Sequence, residues 1–385
     1  MSSALKINFD SPLARHRQLA PSASVRVSPL CLGAMIFGEK QTHRYGEITK
    51  SESFAILDHF YSQGGNFIDT SNNYQLGQSE EWLGEWIELR GTREDIVLAT
   101  KYSSDSRSGD HNIIRSNCGG NGTKSMKLSL ELSLKRLKTS YVDILYVHYW
   151  DYATPVEEVM QSLNDLIRAG KVHYLGISDA PAWIVTKANQ YARMSGLRPF
   201  VIYQGMWSAA LRDFERDIIP MCEDEGMGLI PYGVLNQGRF QTEKGFKERE
   251  THNPGRNFIP LSDHDKKISK ALEDLANRKG SNIFAVAVAY VRAKAPFVFP
   301  LVGARKVGHI KGNIEALDVS LTDKEVHQID TAYPFDHGFP HTFLSGTLIS
   351  GEVPHRGAAA PQDVSPTKIL GNFDWVQKPR SLDKQ

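Results

Sequence analysis

The sequence predicts an α/β fold in which eight parallel strands, each followed by a helix, close into a (β/α)8 barrel. Eight short apolar runs recur along the chain, and each is followed by a longer segment whose apolar residues have helical spacing. Several runs are apolar almost throughout, as at residues 144–147, which is typical of strands covered by helices on both faces. The chain has 385 residues, whereas such a barrel uses about 250. The length therefore accommodates one barrel and leaves surplus chain to place.

The eight apolar runs are interpreted as the barrel strands in chain order. Eight strand-then-helix units favour a closed TIM barrel over an open, doubly wound sheet. The predicted strands are Leu30–Ile36, Asn66–Thr70, Ile96–Lys101, Val142–His148, Val172–Ser178, Phe200–Gln204, Gly228–Gly233 and Phe297–Gly303. Ahead of them, residues 15–28 surround a Pro21-Ser22-Ala23 turn and predict an N-terminal β-hairpin that closes one end of the barrel.

Sequence signals mark the ends of several predicted helices. Thr49 and Glu52 have the spacing of a capping box, which places a helix start there. A helically spaced apolar stripe over residues 156–167 stops at Gly170. Pro181 suits a first helical turn. These signals indicate that helices fill the intervals between the predicted strands.

Four segments interrupt the regular spacing: the hairpin region, residues 102–122, residues 236–262 and an extended tail over residues 332–385. Connections longer than about 12 to 15 residues are typically functional lids or disordered loops. We expect these long loops and the tail to wall a binding site, with flexible surface padding as the alternative. Because no linker divides the chain, the sequence predicts one domain over residues 1–385, with the barrel over residues 27–331.

Composition limits the classes of partner. The 45 basic and 44 acidic residues give a net charge of +1, which offers no general reason to expect a nucleic acid or an anionic membrane. Cys31, Cys118 and Cys222 are widely spaced and form no CxxC, which argues against a disulfide framework and a structural zinc site. The chain also lacks a secretory pattern and any apolar run of about 18 residues. We therefore expect a metal-free cytoplasmic protein that acts on a small molecule; its oligomeric state stays open.

Polar side chains stand near the predicted carboxyl ends of three consecutive strands, which is where barrel active sites form. Asp69 ends the second strand, Lys101 the third and His148 the fourth, and Tyr74 follows Asp69 by five residues. Taken singly, the aspartate could be a helix cap or a barrel salt bridge, the tyrosine packing, the lysine a rim charge and the histidine a satisfied barrel residue. Their joint placement favours a catalytic set.

This set has the chemistry for protonating a carbonyl oxygen. Free tyrosine has a pKa of about 10; a neighbouring lysine ammonium favours the tyrosinate, and a buried aspartate would hold that lysine in place. A neutral histidine can donate a hydrogen bond to a substrate carbonyl. Because no side chain supplies a hydride, reduction would require a cofactor. We expect Tyr74 to act as the acid, Lys101 and Asp69 to tune it, and His148 to orient the carbonyl.

With these residues in place, the sequence resembles the aldo-keto reductases, whose Asp-Tyr-Lys-His tetrad falls on these four positions. Residues 64–70 followed by Asn73-Tyr74 are similar to the family's first signature, and the resemblance runs from about Val27 to Leu317. It extends to the fungal aryl-alcohol dehydrogenases and norsolorinic acid reductases, through residues 146–151, 176–183 and 214–218. The resemblance implies reduction of an aryl aldehyde or an aromatic polyketide ketone of fungal secondary metabolism.

The resemblance also implies that NADP(H) binds without a Rossmann domain, and the chain has no GxGxxG after an early strand. Ser178, Asp179 and Gln204 match residues that hydrogen-bond the nicotinamide carboxamide, and Asp69 is expected among the cofactor contacts. Trp207 falls where the family places an aromatic that stacks on the ring. Many family members have Asn at the position of Asp179; an ionised carboxylate accepts from the carboxamide but cannot donate to it.

Two further segments are expected to hold the cofactor phosphates. Backbone amides and an arginine suit the family's loop that closes over the pyrophosphate, which corresponds to Gly233, Val234, Leu235, Asn236, Gln237, Gly238 and Arg239. A helix start with cationic residues suits the adenosine 2′-phosphate that distinguishes NADPH from NADH, at Gly303, Arg305, Lys306, His309 and Asn313. The alternatives are an ordinary flexible loop and a solvated helix start.

Substrate contacts are expected from Tyr74, His148, Tyr149 and Trp150, with the aromatic side chains forming one wall. Plain packing at the barrel rim is the alternative for the aromatics. Two other functions stay open beside the reductase. One is a cofactor-binding regulatory subunit, because channel-associated β subunits share this fold. The other is a non-redox biosynthetic enzyme on the same scaffold.

Overall fold

A parallel eight-stranded barrel forms the centre of the molecule. The computed structural model describes residues 5–110, 112–252 and 260–351. Two strands precede the barrel, β1 (Arg17–Ala20) and β2 (Ala23–Val27). The barrel strands are β3 (Cys31–Gly33), β4 (Phe67–Asp69), β5 (Val97–Tyr102), β6 (Val142–Val147), β7 (Val172–Ser178), β8 (Phe200–Met206), β9 (Gly228–Tyr232) and β10 (Leu301–Val302). Their spatial order is β10-β3-β4-β5-β6-β7-β8-β9 with parallel pairing throughout, which confirms the predicted (β/α)8 fold.

A parallel bridge between Leu229 and Val298 closes the barrel. The Leu229 amide donates to the carbonyl of Phe297 at 2.9 Å, and the Phe299 amide donates to the carbonyl of Leu229 at 2.9 Å. These bonds join β9 to the segment that leads into β10. The last predicted strand, over residues 297–303, is shorter than expected: Phe297 at its start has a left-handed φ of 53°, and only Leu301–Val302 form a strand beside β3.

The helices alternate with the strands as expected from the sequence. They are α1 (Thr42–Tyr45), α2 (Lys50–Ser62), α3 (Gln78–Arg90), α4 (Thr123–Leu137), α5 (Val156–Arg168), α6 (Ala182–Met194), α7 (Ile218–Glu225), α8 (Glu243–His252), α9 (Asp263–Lys279), α10 (Ile283–Lys294), α11 (Val307–Glu315), α12 (Asp323–Ala332), α13 (His341–Leu344) and α14 (Thr347–Ser350). The Thr49–Glu52 capping box is confirmed at the start of α2. Pro181 stands one position before α6 rather than inside its first turn.

The core has two layers because each barrel strand has two faces. Inside the barrel, one buried cluster includes Phe67, Ile144, Ile202 and Phe299. Between the strands and the helices lies a second and larger cluster, which includes the apolar stripe of α5. Both faces of the strands are thus dry, which explains the nearly unbroken apolar runs in the sequence.

The predicted N-terminal hairpin is confirmed and covers the end of the barrel where the strands begin. β1 and β2 pair antiparallel, and the Ser22 hydroxyl donates to the carbonyl of Gly226 at 2.7 Å, just before β9. A Cβ at Gly228 would collide with the carbonyl oxygen of Leu19 in β1. Glycine at this position lets the hairpin approach the barrel closely.

The long connections differ in part from expectation. No helix or strand interrupts residues 103–110 and 112–122. The segment 236–262, expected to be irregular, instead contains α8; Pro254 and Gly255 lie outside the described residues. β3 is only three residues long, because the chain turns at once after Gly33, with the Phe37 amide donating to the carbonyl of Ala34 at 2.9 Å.

The described part of the tail, residues 332–351, packs on the loop that follows β8. Arg216 in that loop donates to the carbonyls of Asp336 at 3.1 Å and His337 at 2.8 Å. The Phe335 ring lies 5.2 Å from the Arg216 guanidinium. Pro354, Pro361 and Pro366, in the rest of the tail, lie outside the described residues. Among the helices of the described ranges, none has the length and apolar character of a membrane span.

We predict that Gly228→Ala destabilises the protein by about 1–3 kcal/mol, because a new methyl group would meet a backbone oxygen that cannot move cheaply. Urea unfolding measures the change. Gly312→Ala in α11 is the matched control, since its Cβ would enter open space and alanine favours a helix. Equal stability of the two variants would contradict close packing of the hairpin.

Candidate active site

The four residues singled out from the sequence converge at the carboxyl ends of adjacent strands. Asp69 ends β4 and is paired in register with Ala99 of β5, two residues before Lys101. His148 directly follows β6, whose Tyr146 pairs with Lys101. Tyr74 opens a short 3₁₀ segment after β4. The barrel ladder thus brings together residues that are up to 79 positions apart in the sequence.

A buried ion pair occupies the centre of this group. Lys101 Nζ donates to Asp69 Oδ1, to the carbonyl of Thr70 at 2.8 Å and to the Tyr74 hydroxyl at 3.5 Å. Gln204 Nε2 donates to the other carboxylate oxygen of Asp69 at 3.1 Å. The lysine and aspartate side chains are 0% and 2% exposed. Burial raises the pKa of Asp69, while Lys101 and Gln204 oppose the rise by stabilising the carboxylate.

A strained turn of the backbone follows directly after Tyr74. Gln75 and Leu76 have left-handed φ values of 52° and 55°, and Gly77 follows with φ 93°. Such conformations cost of order 1–3 kcal/mol for a non-glycine residue and persist only where neighbouring structure enforces them. Here the buried Gln75 side chain accepts from the Gln41 amide at 2.7 Å. The contact anchors the strained turn to the loop before α1 and so places Tyr74.

The environment of Tyr74 keeps its phenol protonated. Burial raises its pKa well above 10, and the negative charge of Asp69 raises it further. Burial and the negative charge of Asp69 thus keep the resting phenol protonated, and the expected effect of Lys101 in favour of the tyrosinate stays a prediction. A protonated phenol is the form that can give a proton to a carbonyl oxygen.

His148 is neutral in this environment. Burial lowers its pKa to about 3, and the charge of Lys101 adds to the effect. Its ring lies edge-on to the Tyr74 ring, with centroids 5.8 Å apart. Its Nδ1 lies 3.1 Å from the Ser71 hydroxyl oxygen. One ring nitrogen of the neutral imidazole can therefore donate a hydrogen bond at the mouth.

A second polar group lies beside this centre. Ser178 ends β7 and is paired in register with Gln204 of β8, whose side chain donates to Asp69. Asp179 has a left-handed φ of 43°, a conformation that Asp and Asn tolerate better than most residues. The Asp179 side chain is exposed at the mouth, yet partial loss of hydration raises the pKa of its carboxyl group to about 6. The hydrogen bond from the Tyr232 hydroxyl and the charge of Lys101 oppose this rise.

The structure does not bring Trp207 to the mouth. Its side chain is 0% exposed, and its ring stacks on Phe214 with centroids 5.7 Å apart. Tyr232, which the sequence reasoning missed, ends β9 and is half-buried, and its hydroxyl donates to both carboxylate oxygens of Asp179 at 3.1 and 3.2 Å. Its position at a strand end, like that of Asp69, was the available signal. Tyr232 is thus the aromatic ring that contacts this polar group.

The two residues after His148 differ in exposure. Tyr149 is 42% exposed, and its hydroxyl donates to the carbonyl of Ser103 at 3.2 Å. Trp150 is buried, and its amide donates to the carbonyl of Asp179. Asn121 Nδ2 donates to the carbonyl of Tyr149 at 3.0 Å, which fixes the loop after β5 beside the mouth. Tyr149 therefore presents its ring to a ligand more readily than Trp150 does.

The predicted pyrophosphate loop is folded around internal contacts. Gly233, Asn236, Gln237 and Gly238 all have left-handed φ values, and Val234 and Asn236 are buried while Leu235 is half-buried. The guanidinium of Arg239 donates to the carbonyl and the side-chain oxygen of Asn236 and pairs with Asp265 at 3.8 Å. Arg239 is thus already engaged within the protein, while Gln237 and Gly238 remain half-buried.

A cationic group lies at the start of α11, directly after β10 and Gly303. Arg305 is exposed and its side chain lies against Gly46, while Lys306 is the N-cap residue. Burial lowers the pKa of His309, and the charges of Arg305 and Lys306 lower it further. Asn313 is buried one turn beyond. The structure thus places Arg305 and Lys306 at the start of α11, and His309 and Asn313 further along the same helix.

No group of three or more His, Cys, Asp and Glu side chains is arranged to hold a metal ion within residues 5–110, 112–252 and 260–351. The described site therefore consists of a buried Asp–Lys pair, a protonated phenol, a neutral imidazole and a polar group at neighbouring strand ends. Such a site at the mouth of a (β/α)8 barrel defines the class of cofactor-dependent carbonyl oxidoreductases.

Comparison with known proteins agrees with that class. Residues 29–334 match the family model described as "Aldo/keto reductase family". The chain is 59% identical over 375 residues to norsolorinic acid reductase B of Aspergillus parasiticus, covering 97% of this chain and 98% of that protein. It is 52% identical to an aryl-alcohol dehydrogenase of Pestalotiopsis microspora (97% and 94% covered) and 46% identical to aryl-alcohol dehydrogenase [NADP(+)] of Phanerodontia chrysosporium (92% and 97% covered).

The chain belongs to the aldo/keto reductase family and is an oxidoreductase of that family, which confirms the resemblance seen in the sequence. Proteins of this family use a nicotinamide cofactor. These relatives favour the reductase over the regulatory-subunit and non-redox alternatives.

We predict that His148 makes stability depend on pH. The folded-state pKa of His148 is about 3, whereas its unfolded value is about 6.5. As the pH falls, the unfolded chain therefore takes up a proton at His148 at a higher pH than the folded protein does. Stability is therefore lost as pH falls below 6.5, by at most about 1.4 kcal/mol per pH unit from this residue. Urea unfolding at pH 7, 6 and 5 measures the effect. His148→Gln should lose less stability over this range, and parallel curves would contradict the prediction.

Proposed function

We propose that this chain uses NADPH to reduce an aryl aldehyde or an aromatic polyketide ketone to the corresponding alcohol, as a step of fungal secondary metabolism. The observation that carries the proposal is the convergence of Asp69, Tyr74, Lys101 and His148 at one barrel mouth. The names of the relatives support the substrate class, since they include norsolorinic acid reductases and aryl-alcohol dehydrogenases.

Tyr74 is the proton donor in this proposal. Its raised pKa keeps the proton on the phenol until a carbonyl oxygen begins to gain charge. Lys101 Nζ, 3.5 Å from the phenol oxygen, then stabilises the phenolate that the proton transfer leaves behind. Asp69 holds the lysine in place through a direct hydrogen bond. The pair therefore contributes most as negative charge develops on the tyrosine, which is the moment that matters for rate.

His148 orients the substrate carbonyl. Because the imidazole is neutral, it donates one hydrogen bond without offering a competing strong acid. Tyr74 and His148 meet edge to face, so two donors can converge on one carbonyl oxygen. Tyr149 adds an exposed aromatic surface beside them, which fits an aryl substrate better than a small aliphatic one.

The side chains at the mouth fit a nicotinamide cofactor. The chemistry that a reduced nicotinamide supplies when bound is the hydride that no side chain provides. An ionised Asp179, with a pKa of about 6, accepts from a carboxamide N–H at neutral pH, and the Ser178 hydroxyl and the Gln204 amide offer donors. Tyr232 replaces Trp207 in our assignment as the aromatic neighbour of the ring, because Trp207 has no exposed face. Asp69 supports this group through Gln204.

The start of α11 fits the phosphate that distinguishes NADPH from NADH. Arg305 and Lys306 supply two cations at a helix N-terminus, and Gly303 keeps open space beside them. His309 and Asn313, further along α11, would contribute contacts to the adenosine part of the cofactor. Residues 233–239 would meet the pyrophosphate through their backbone amides. A relative whose name includes NADP(+) supports the choice of cofactor.

The barrel and the described part of the tail form one domain, and the protein acts on small molecules in the cytoplasm. The free cysteines Cys31, Cys118 and Cys222, all buried thiols, support a reducing compartment.

We predict that Tyr74→Phe lowers kcat for an aromatic aldehyde by at least about 100-fold, because the proton donor is lost. Absorbance of NADPH follows turnover, and protein fluorescence follows cofactor affinity, which should stay within about twofold. Tyr61→Phe is the control, since it removes a phenol that hydrogen-bonds Asp95 away from the mouth. Unchanged turnover in Tyr74→Phe would refute the assigned acid.

We predict that Arg305→Ala and Lys306→Ala each weaken NADPH binding about 10- to 100-fold, the range for losing a charge-assisted hydrogen bond. Binding of NADH should change little, because NADH lacks the 2′-phosphate. Lys311→Ala is the control: it removes an exposed charge from the same helix one turn further on. Equal losses for NADPH and NADH, or an equal loss in the control, would place the phosphate elsewhere.

A further inference from the structure

A buried serine contacts the imidazole of His148 from behind. Ser71 is 0% exposed and lies two residues after Asp69 at the end of β4. Its hydroxyl oxygen is 3.1 Å from His148 Nδ1, across 77 positions of sequence. The His148 backbone amide is held separately by the Tyr102 carbonyl at 3.2 Å and the Ser103 hydroxyl at 3.1 Å. The ring is therefore fixed at its backbone and at Nδ1, which leaves Nε2 for the mouth.

The contact matters because a neutral imidazole has one proton and two nitrogens. If Nδ1 is the acceptor, the proton is on Nε2 and can be donated to a carbonyl oxygen. If Nδ1 is protonated, Nε2 presents a lone pair that repels that oxygen. The partner of Nδ1 thus decides whether His148 assists reduction or opposes it.

Ser71 has a single hydroxyl proton and three oxygen or nitrogen neighbours. Besides His148 Nδ1, these are two amide oxygens to which the hydroxyl can donate, Asn73 Oδ1 at 3.0 Å and Asn72 Oδ1 at 3.4 Å. The Asn72 amide is oriented by its own donations to the Ser104 carbonyl at 2.9 Å and the Ser129 hydroxyl at 2.8 Å, and its contact with Ser71 is the longest of the three.

Asn73 is half-buried, whereas Asn72 and Ser71 are buried. Its amide oxygen can therefore take a hydrogen bond from water, and rotation of the amide would turn its NH2 group toward Ser71 as a donor. Either arrangement frees the serine proton for Nδ1. Ser71 Oγ is the partner that the structure gives His148 Nδ1, so the direction of this one hydrogen bond decides which ring nitrogen is protonated.

We propose that Ser71 is a positioning residue that donates its hydroxyl proton to His148 Nδ1 and thereby holds His148 in the Nε2–H tautomer needed to hydrogen-bond a carbonyl substrate. The inference rests on the proposed function of His148 for its effect on turnover. Its structural part, the direction of one hydrogen bond, does not depend on that function.

The direction of the bond is measured by ¹⁵N NMR of the intact protein labelled at histidine, without cofactor or substrate. The His148 signals are assigned by their loss in His148→Gln. We expect Nδ1 to be unprotonated and Nε2 to be protonated, and we expect Ser71→Ala to give a mixture of both tautomers. A protonated Nδ1 in the unaltered protein, or the same tautomer in Ser71→Ala, would overturn the proposal.

Kinetics supply the second measurement. Ser71→Ala should lower kcat for an aromatic aldehyde about tenfold, the value of one ordinary hydrogen bond, while the affinity for NADPH stays unchanged. Ser71→Thr, which keeps a hydroxyl, should restore both the tautomer and most of kcat. Ser53→Ala is the control. It removes a buried hydroxyl that donates to the carbonyl of Thr49, the N-cap residue of α2, away from the mouth.

The two measurements separate the possible failures. If Ser71→Ala changes the tautomer but not kcat, and His148→Gln also retains kcat, the proposed role of His148 has failed while the hydrogen bond stands. If kcat falls with an unchanged tautomer, Ser71 acts only through packing and the proposal is wrong. Thermal unfolding of each variant confirms that it is folded.

Discussion

The buried pair of Asp69 and Lys101 is the interaction on which the site depends. Two opposite charges inside a barrel lose their hydration, and only close contact with further hydrogen bonds offsets that loss. The barrel provides those bonds through the Thr70 carbonyl, directly after β4, and through the Gln204 side chain of β8. Removal of either charge would leave the other buried alone, at a cost of about 3–5 kcal/mol. The pair therefore contributes both to the stability of the fold and to the chemistry of the site.

The charges of that pair also set the protonation of the groups around it. Asp69 helps keep Tyr74 protonated, and Lys101 helps keep His148 neutral. Water screens these two charges little, because both side chains are buried. The acid and the hydrogen-bond donor thus have the required states before any substrate arrives. That preorganisation avoids a reorganisation of the protein during proton transfer.

Sequence patterns were sufficient to predict the barrel fold and the residues that converge at its mouth. Periodic apolar runs reflect burial, so they identified the strands, and the barrel ladder then placed Asp69, Lys101 and His148 together. Patterns could not show that Trp207 is buried, because its partner Phe214 comes from the following loop. They also could not give the direction of the Tyr74 pKa shift, because that direction depends on burial of the phenol and on the nearby charge of Asp69, both of which raise the pKa. The Ser71–His148 contact joins two strand ends, and only the three-dimensional structure shows it.

The attachment of the tail has an evolutionary consequence. Arg216 holds residues 336 and 337 through their main-chain carbonyls rather than their side chains. Every amino acid carries that carbonyl. Substitutions at these two residues therefore leave the hydrogen bonds to the loop after β8 in place. Related proteins can thus differ in the surface of this segment while they keep the same catalytic residues.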